Sequence, residues 1–232
     1  MTVKLIALNL DDNTDFAEEG ISAFDAETAL EKASGSDAEI VTVSAQCYRA
    51  LQHELVNIDK RRQIRYTVTS DGAEIRDAER GNVLYNRYIL EDEARKVKEA
   101  LKKMDVMVEV YVNGKAYIER SYYEKIRRGE INYRDRSYVL ETRVPVKGVM
   151  QLLDVHSRRI EKVMVYFVGE SVKRKVLDAL SIVKYTGVAM PGKNSIKLIA
   201  VNCSKTEALS ALCSKLDISL SDVMSIGSEK II

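Results

Sequence analysis

Apolar residues along this chain fall into short runs separated by breaks rich in glycine, asparagine or acids. Residues 3–10 (VKLIALNL) form one such run and predict a buried strand. Residues 22–32 carry alanines and a leucine at helical spacing, which predicts a helix with Ser22 or Asp25 near its cap. Residues 39–43 (EIVTV) predict a second strand, 46–57 a second helix and 66–69 a third strand, followed by a turn at Ser70-Asp71-Gly72. Strand, helix, strand, helix, strand is the order produced by right-handed parallel crossovers.

The rhythm then changes. Residues 73–88 are polar, with a turn signal at Gly81-Asn82, and read as a hairpin. Residues 91–104 predict a charged amphipathic helix with Ala94, Val97, Ala100 and Leu101 on its apolar side. Residues 106–112 alternate apolar and polar, and Asn113-Gly114 then turns the chain into 116–119, a strong hairpin signal. Helices are expected over 145–156 and 170–180, with strands over 162–167, 185–190 and 195–201. This predicts an antiparallel sheet with helices on one face. A helix over 205–215 and a short apolar strand over 222–226, ending at Gly227, complete the pattern.

Composition narrows the class. The 232 residues suffice for one large domain or two small ones. Hydrophobic residues make up 46% and charged residues 31%, as in ordinary globular proteins. Lys and Arg number 36 against 35 Asp and Glu, so net charge gives no drive toward nucleic acid or an anionic membrane. The basic clusters Lys60-Arg61-Arg62, Arg127-Arg128 and Arg158-Arg159 read as solvated faces. Cys47, Cys203 and Cys213 are widely spaced and form no C-x-x-C or zinc pattern. No apolar run approaches the length of a membrane span, and the start of the chain is too polar for a signal peptide. The expectation is a reducing, cytoplasmic setting.

Residues 4–15 (KLIALNLDDNTD) end an apolar run in a cluster of acids and amides. The stretch resembles the first motif, D-x-D-G-T-[LV], of the haloacid dehalogenase (HAD) superfamily. Asn9 stands at the position of that family's nucleophilic aspartate, and Asp11 matches its second aspartate. Asp12-Asn13 replace the Gly-Thr pair. Residues 69–73 (TSDGA) resemble the N-G-A turn of the Cof-type branch, with Asp71 in place of the asparagine. Residues 204–209 (SKTEAL) resemble its S-K-G-x-A-L. The order of these segments covers almost the whole chain. The resemblance implies a HAD-like, Rossmannoid parallel-sheet core, class α/β, over residues 1–74 and 191–232. An α+β cap domain would be inserted over 75–190.

The same resemblance assigns roles. The family transfers phosphoryl groups through an aspartyl-phosphate, with Mg²⁺ held by carboxylates. Asp11 falls at the acid/base position and is the one candidate metal ligand; a capping or turn aspartate is the plain alternative. Ser44 falls at the phosphate-binding second motif, where the usual Gly-Arg is replaced by Ala45-Gln46; a helix N-cap is its alternative reading. Lys205 falls at the lysine that screens phosphate and nucleophile, its alternative being a solvated lysine. At the fourth motif, G-D-x-x-x-N-D, residues 225–232 read SIGSEKII. Ser228 replaces the first aspartate, and Glu229 is the nearby carboxylate.

Three functions stay open at this point. One is a pseudophosphatase acting by ligand or partner binding, with Mg²⁺ weak or absent. Another is a Mg²⁺-dependent phosphatase of small phosphorylated metabolites using Asp11 and Asp12. The third is an assembly module completed by another chain, such as a homo-oligomer through the strand at 222–226 and Ile231-Ile232. A small phosphorylated metabolite or anion is the expected ligand; nucleic acid and membrane are not expected partners.

Overall fold

The computed structural model describes residues 3–11, 28, 30, 31 and 37–227. Of the helix expected over 22–32, Thr28, Leu30 and Glu31 are described and are helical. Asp12, Asn13, Ser228, Glu229, Ile231 and Ile232 lie outside the described residues. The chain divides into two compact units, Met1–Arg87 with Cys203–Ile232, and Tyr88–Asn202.

The first unit holds a six-stranded sheet in the order β12-β1-β2-β3-β4-β5. Strands β1 (Leu5–Asn9), β2 (Glu39–Val43), β3 (Tyr66–Thr69) and β12 (Val223–Ile226) are parallel. The hairpin β4 (Glu74–Asp77) and β5 (Val83–Asn86) adds antiparallel strands beside β3. Helix α1 (Tyr48–Ile58) follows β2. Strand side chains alternate between the two faces of the sheet. Leu5 and Ala7 join Val41, Val43 and Val68 in one core with Ala208, Leu209 and Leu212. Ile6 and Leu8 join Leu51 and Ile58 of α1 in another. With both faces covered, β1 is apolar without alternation, which is why it reads as a continuous run.

The second unit holds a six-stranded sheet in the order β10-β11-β9-β6-β7-β8. Helix α2 (Glu91–Leu101) precedes β6 (Met107–Val112) and β7 (Lys115–Glu119). Asn113 and Gly114 both adopt positive φ (54° and 72°), as a two-residue type I′ hairpin requires. Next come α3 (Arg120–Arg127), α4 (Arg136–Thr142), β8 (Arg143–Val146), α5 (Leu152–Val155) and β9 (Ile160–Tyr166). Helix α6 (Glu170–Leu180) and strands β10 (Thr186–Gly192) and β11 (Ser195–Ala200) complete it. All neighbouring strands are antiparallel except β7 and β8, which are parallel.

Three expectations are corrected. The division at 74/75 and 190/191 moves to 87/88 and 202/203. The β4–β5 hairpin pairs onto β3, and β10–β11 onto β9, so each stays with its sheet. The helix expected over 145–156 is instead strand β8, a 3₁₀ turn at Val149–Gln151 and the single turn α5. Gly148 separates them at φ 76°, and Glu119 accepts hydrogen bonds from the Gly148 and Val149 N–H groups at 2.8 and 2.9 Å. Pro145 sits on β8, the edge of its sheet, where a missing N–H is tolerated. Helices also cover both faces of this sheet. Val108, Val110 and Val112 pack with Val97, Leu101, Val176 and Leu180. On the other face, Met107 and Ile118 pack with Ile126 and Val139 of α3 and α4.

That second face buries a charged pair. The Arg143 Nε donates to Glu109 Oε1 at 2.8 Å, with both side chains at most 1% exposed. Tyr133 donates to the same oxygen at 2.7 Å and Tyr111 to Oε2 at 2.9 Å. Burial pushes the Glu109 carboxyl up, but Arg143 and the Tyr133 hydroxyl outweigh it and hold it below the ordinary range. Its stability contribution is therefore present above the unfolded value, about 4.3, and lost as pH falls through the folded one. Glu109→Ala is expected to cost about 3–5 kcal/mol, because it leaves Arg143 buried without its counter-charge. Urea unfolding measures this, and a loss below about 1 kcal/mol would show that Arg143 finds another partner.

Candidate functional site

Strand β1 delivers Asn9 to its C-terminal end. Asn9 lies two residues beyond Ala7, so it continues the face that packs on α7 (Lys205–Leu216). Its side chain is fully buried. Its Oδ1 accepts from the Asp11 N–H at 3.3 Å and from Lys205 Nζ at 3.4 Å. Asp11 follows the strand and is tied to the turn after β2. Its Oδ1 accepts from the Ser44 hydroxyl at 2.7 Å, and its Oδ2 from the Ala45 N–H at 2.5 Å. Lys205 Nζ lies 2.7 Å from that same Oδ2, with both side chains mostly buried. The structure thus brings together Asn9, Asp11, Ser44 and Lys205, although they span nearly the whole chain.

The local alternatives resolve in the same geometry. Ser44 does not cap α1; Cys47 holds that position, and the Ser44 hydroxyl serves Asp11 while accepting from the Gln46 N–H at 3.0 Å. Lys205 is an ion-pair partner rather than a solvated lysine. It sits in the first turn of α7, where the helix dipole disfavours a cation. Asp11 offsets that cost. Helix α7 starts at Ser204, whose hydroxyl accepts from the Glu207 N–H at 3.1 Å. The S-x-x-E spacing of residues 204–207 is a capping signal that the sequence reading passed over.

The turn after β3 anchors that helix start. Ser70, Asp71 and Gly72 all have positive φ (52°, 61° and 99°), a run that non-glycine residues rarely adopt. The turn is held by bonds from the Ser70 N–H to the Gln46 carbonyl and from the Asp71 N–H to the Ser44 carbonyl. It thereby locks onto the segment that holds Asp11. A Cβ on Gly72 would lie 2.1 Å from the Ser204 carbonyl oxygen. Backbone therefore meets backbone at the point where Lys205 enters the site.

Magnesium, which the resemblance implies, is tested by the donors present. Mg²⁺ demands near-octahedral oxygen coordination and is reluctant to shed its waters. Among the described residues no group of three or more His, Cys, Asp or Glu is placed to hold a metal. Both Asp11 oxygens already accept hydrogen bonds, one also pairing with an ammonium. The described donor set does not fit a divalent cation. What it does offer is one ammonium, one hydroxyl and backbone N–H groups around a carboxylate and a neutral amide.

Gly72→Ala is expected to destabilise the protein by about 2 kcal/mol or more, through combined αL strain and the clash with Ser204. Thermal or urea unfolding checks it. An unchanged midpoint would mean that α7 can retreat from the turn at no cost.

The chain matches the family model described as haloacid dehalogenase-like hydrolase over residues 9–230. Its fold is similar to that of several solved structures. One is a haloacid dehalogenase-like hydrolase from Bacteroides thetaiotaomicron: TM-score 0.76, 15% identity, covering 97% of this chain and 82% of that one. Another is a haloacid dehalogenase-like hydrolase from B. subtilis: TM-score 0.73, 16% identity, 98% and 84% covered. A third is the HAD subclass IIB sugar phosphatase BT4131: TM-score 0.68, 15% identity, 96% and 79% covered. No curated protein matches the chain. With the model spanning all but the ends, and with an α/β core carrying an inserted second unit, the chain belongs to the haloacid dehalogenase-like hydrolases.

Proposed function

We propose that this chain is a pseudophosphatase: a HAD-like protein that binds a small phosphorylated metabolite or anion without turning it over. The observation that carries the reading is the buried amide of Asn9 at the end of β1, with its oxygen facing the Lys205 ammonium. An amide is neutral and a far poorer nucleophile than a carboxylate, so it does not sustain an aspartyl-phosphate route. Ser44, Lys205 and backbone N–H groups need no metal to interact with an oxyanion. Asp11 opposes the anion's charge, which favours weak binding. Cys47, Cys203 and Cys213 are buried and form no C-x-x-C pattern, which supports a reducing, cytoplasmic setting. Among the described residues no helix is long and apolar enough to cross a membrane.

The expected outcome is no measurable turnover of generic phosphomonoesters by rigorously purified protein, with or without Mg²⁺. Loss of a nucleophile typically costs several orders of magnitude in rate. Turnover abolished by Asp11→Ala would overturn the reading. A sharper form uses Asn9→Asp, which preserves shape and adds the missing charge. By itself it is expected to leave the protein inactive, because a second carboxylate does not rebuild the metal site. Restored turnover would identify instead an enzyme disabled at one atom.

A further inference from the structure

We propose that Lys205 is the resident cation of this site and that its ammonium occupies the electrostatic role of a divalent metal. The proposal rests on the placement of Asn9 and Asp11 at the phosphate-transfer site, as in the preceding subsection.

Asp11 carries the one formal negative charge among the four converging side chains, since Asn9 and Ser44 are neutral. Lys205 Nζ lies 2.7 Å from its Oδ2 and 3.4 Å from the Asn9 oxygen. The quartet is therefore already neutral. An aspartate at position 9 would leave it one negative charge in excess, the condition under which a partly buried site recruits a further cation. The amide removes that excess. The ammonium is also anchored as a built element: it leaves the first turn of α7, whose start is fixed by the Ser204 cap and by the close approach of Gly72. Solvent exposure of the two paired side chains is only 17% and 15%, so screening by water and salt is limited. A hydrated Mg²⁺ would have to displace the ammonium from a carboxylate that also holds two hydrogen bonds. Among the described residues no group of three or more His, Cys, Asp or Glu is placed to hold the ion after that exchange.

Calorimetry and thermal unfolding of the full chain, titrated with MgCl₂ against NaCl of matched ionic strength, test the proposal with the metal alone as probe. The parent protein is expected to show no saturable Mg²⁺ heat and no Mg²⁺-specific shift in Tm. Lys205→Met strips Asp11 of its cation and is expected to create a Mg²⁺-specific rise in Tm of about 1–3 °C at saturating metal. The Asp11→Asn/Lys205→Met double variant should lack it. Saturable one-to-one Mg²⁺ binding by the parent, abolished by Asp11→Asn, would overturn the proposal. So would a folded Lys205→Met protein as indifferent to Mg²⁺ as its parent. The two readings fail separately. Phosphomonoester turnover in EDTA would refute the pseudophosphatase and leave the resident lysine standing. Mg²⁺ binding without turnover would do the reverse.

Discussion

The ion pair between Lys205 and Asp11 is the contact on which the site depends. It joins the C-terminal end of β1 to the first turn of α7, segments far apart in sequence. A lysine at a helix start and a carboxylate drawn out of water are each unfavourable alone. Together they cancel, and the Ser44 hydroxyl and Ala45 N–H complete the carboxylate's bonding. The surrounding backbone is arranged around that pair. The strained turn at Ser70–Gly72 bonds to the segment holding Asp11 and lets α7 approach within a distance that only glycine permits.

The two units solve different packing problems. In the first, apolar strands between two cores make a scaffold rigid enough to present polar groups at strand ends. In the second, one sheet face is apolar and the other buries Glu109 and Arg143 among tyrosine hydroxyls. A buried pair of this kind adds little net stability over apolar residues of equal volume. Losing one partner is nonetheless costly. Its effect here is to tie the segment carrying Tyr133, α4 and β8 to a single place on the sheet.

Much of this was legible in the sequence, for local reasons. The run at residues 3–10, the Asn113-Gly114 turn and the amphipathic pattern of α2 each follow from a short-range rule, and each stands as expected. Asn9, Asp11, Ser44 and Lys205 were named from motif positions, and the fold brings them within bonding distance. What stayed hidden was non-local. Helices α3 and α4 are short, polar outside and rich in tyrosine, so no apolar stripe announces them; Ile126 and Val139 are buried against Met107 and Ile118 of distant strands. Residues 143–146 become strand because β7 is available to pair with them, a partner that the local sequence does not reveal. The unit boundaries shifted for the same reason, since sheet pairing rather than composition decides where each hairpin belongs.

Asn9 carries the functional conclusion, because everything said of this chain's chemistry turns on an amide standing where the resemblance places a carboxylate nucleophile. Intact-mass analysis after incubation with a reactive phosphoryl donor, such as acetyl phosphate with Mg²⁺, addresses it at the covalent step itself. The account predicts an unmodified chain under conditions that trap aspartyl-phosphates. A stoichiometric phosphoryl adduct mapping to the peptide containing Asn9 and Asp11 would contradict it.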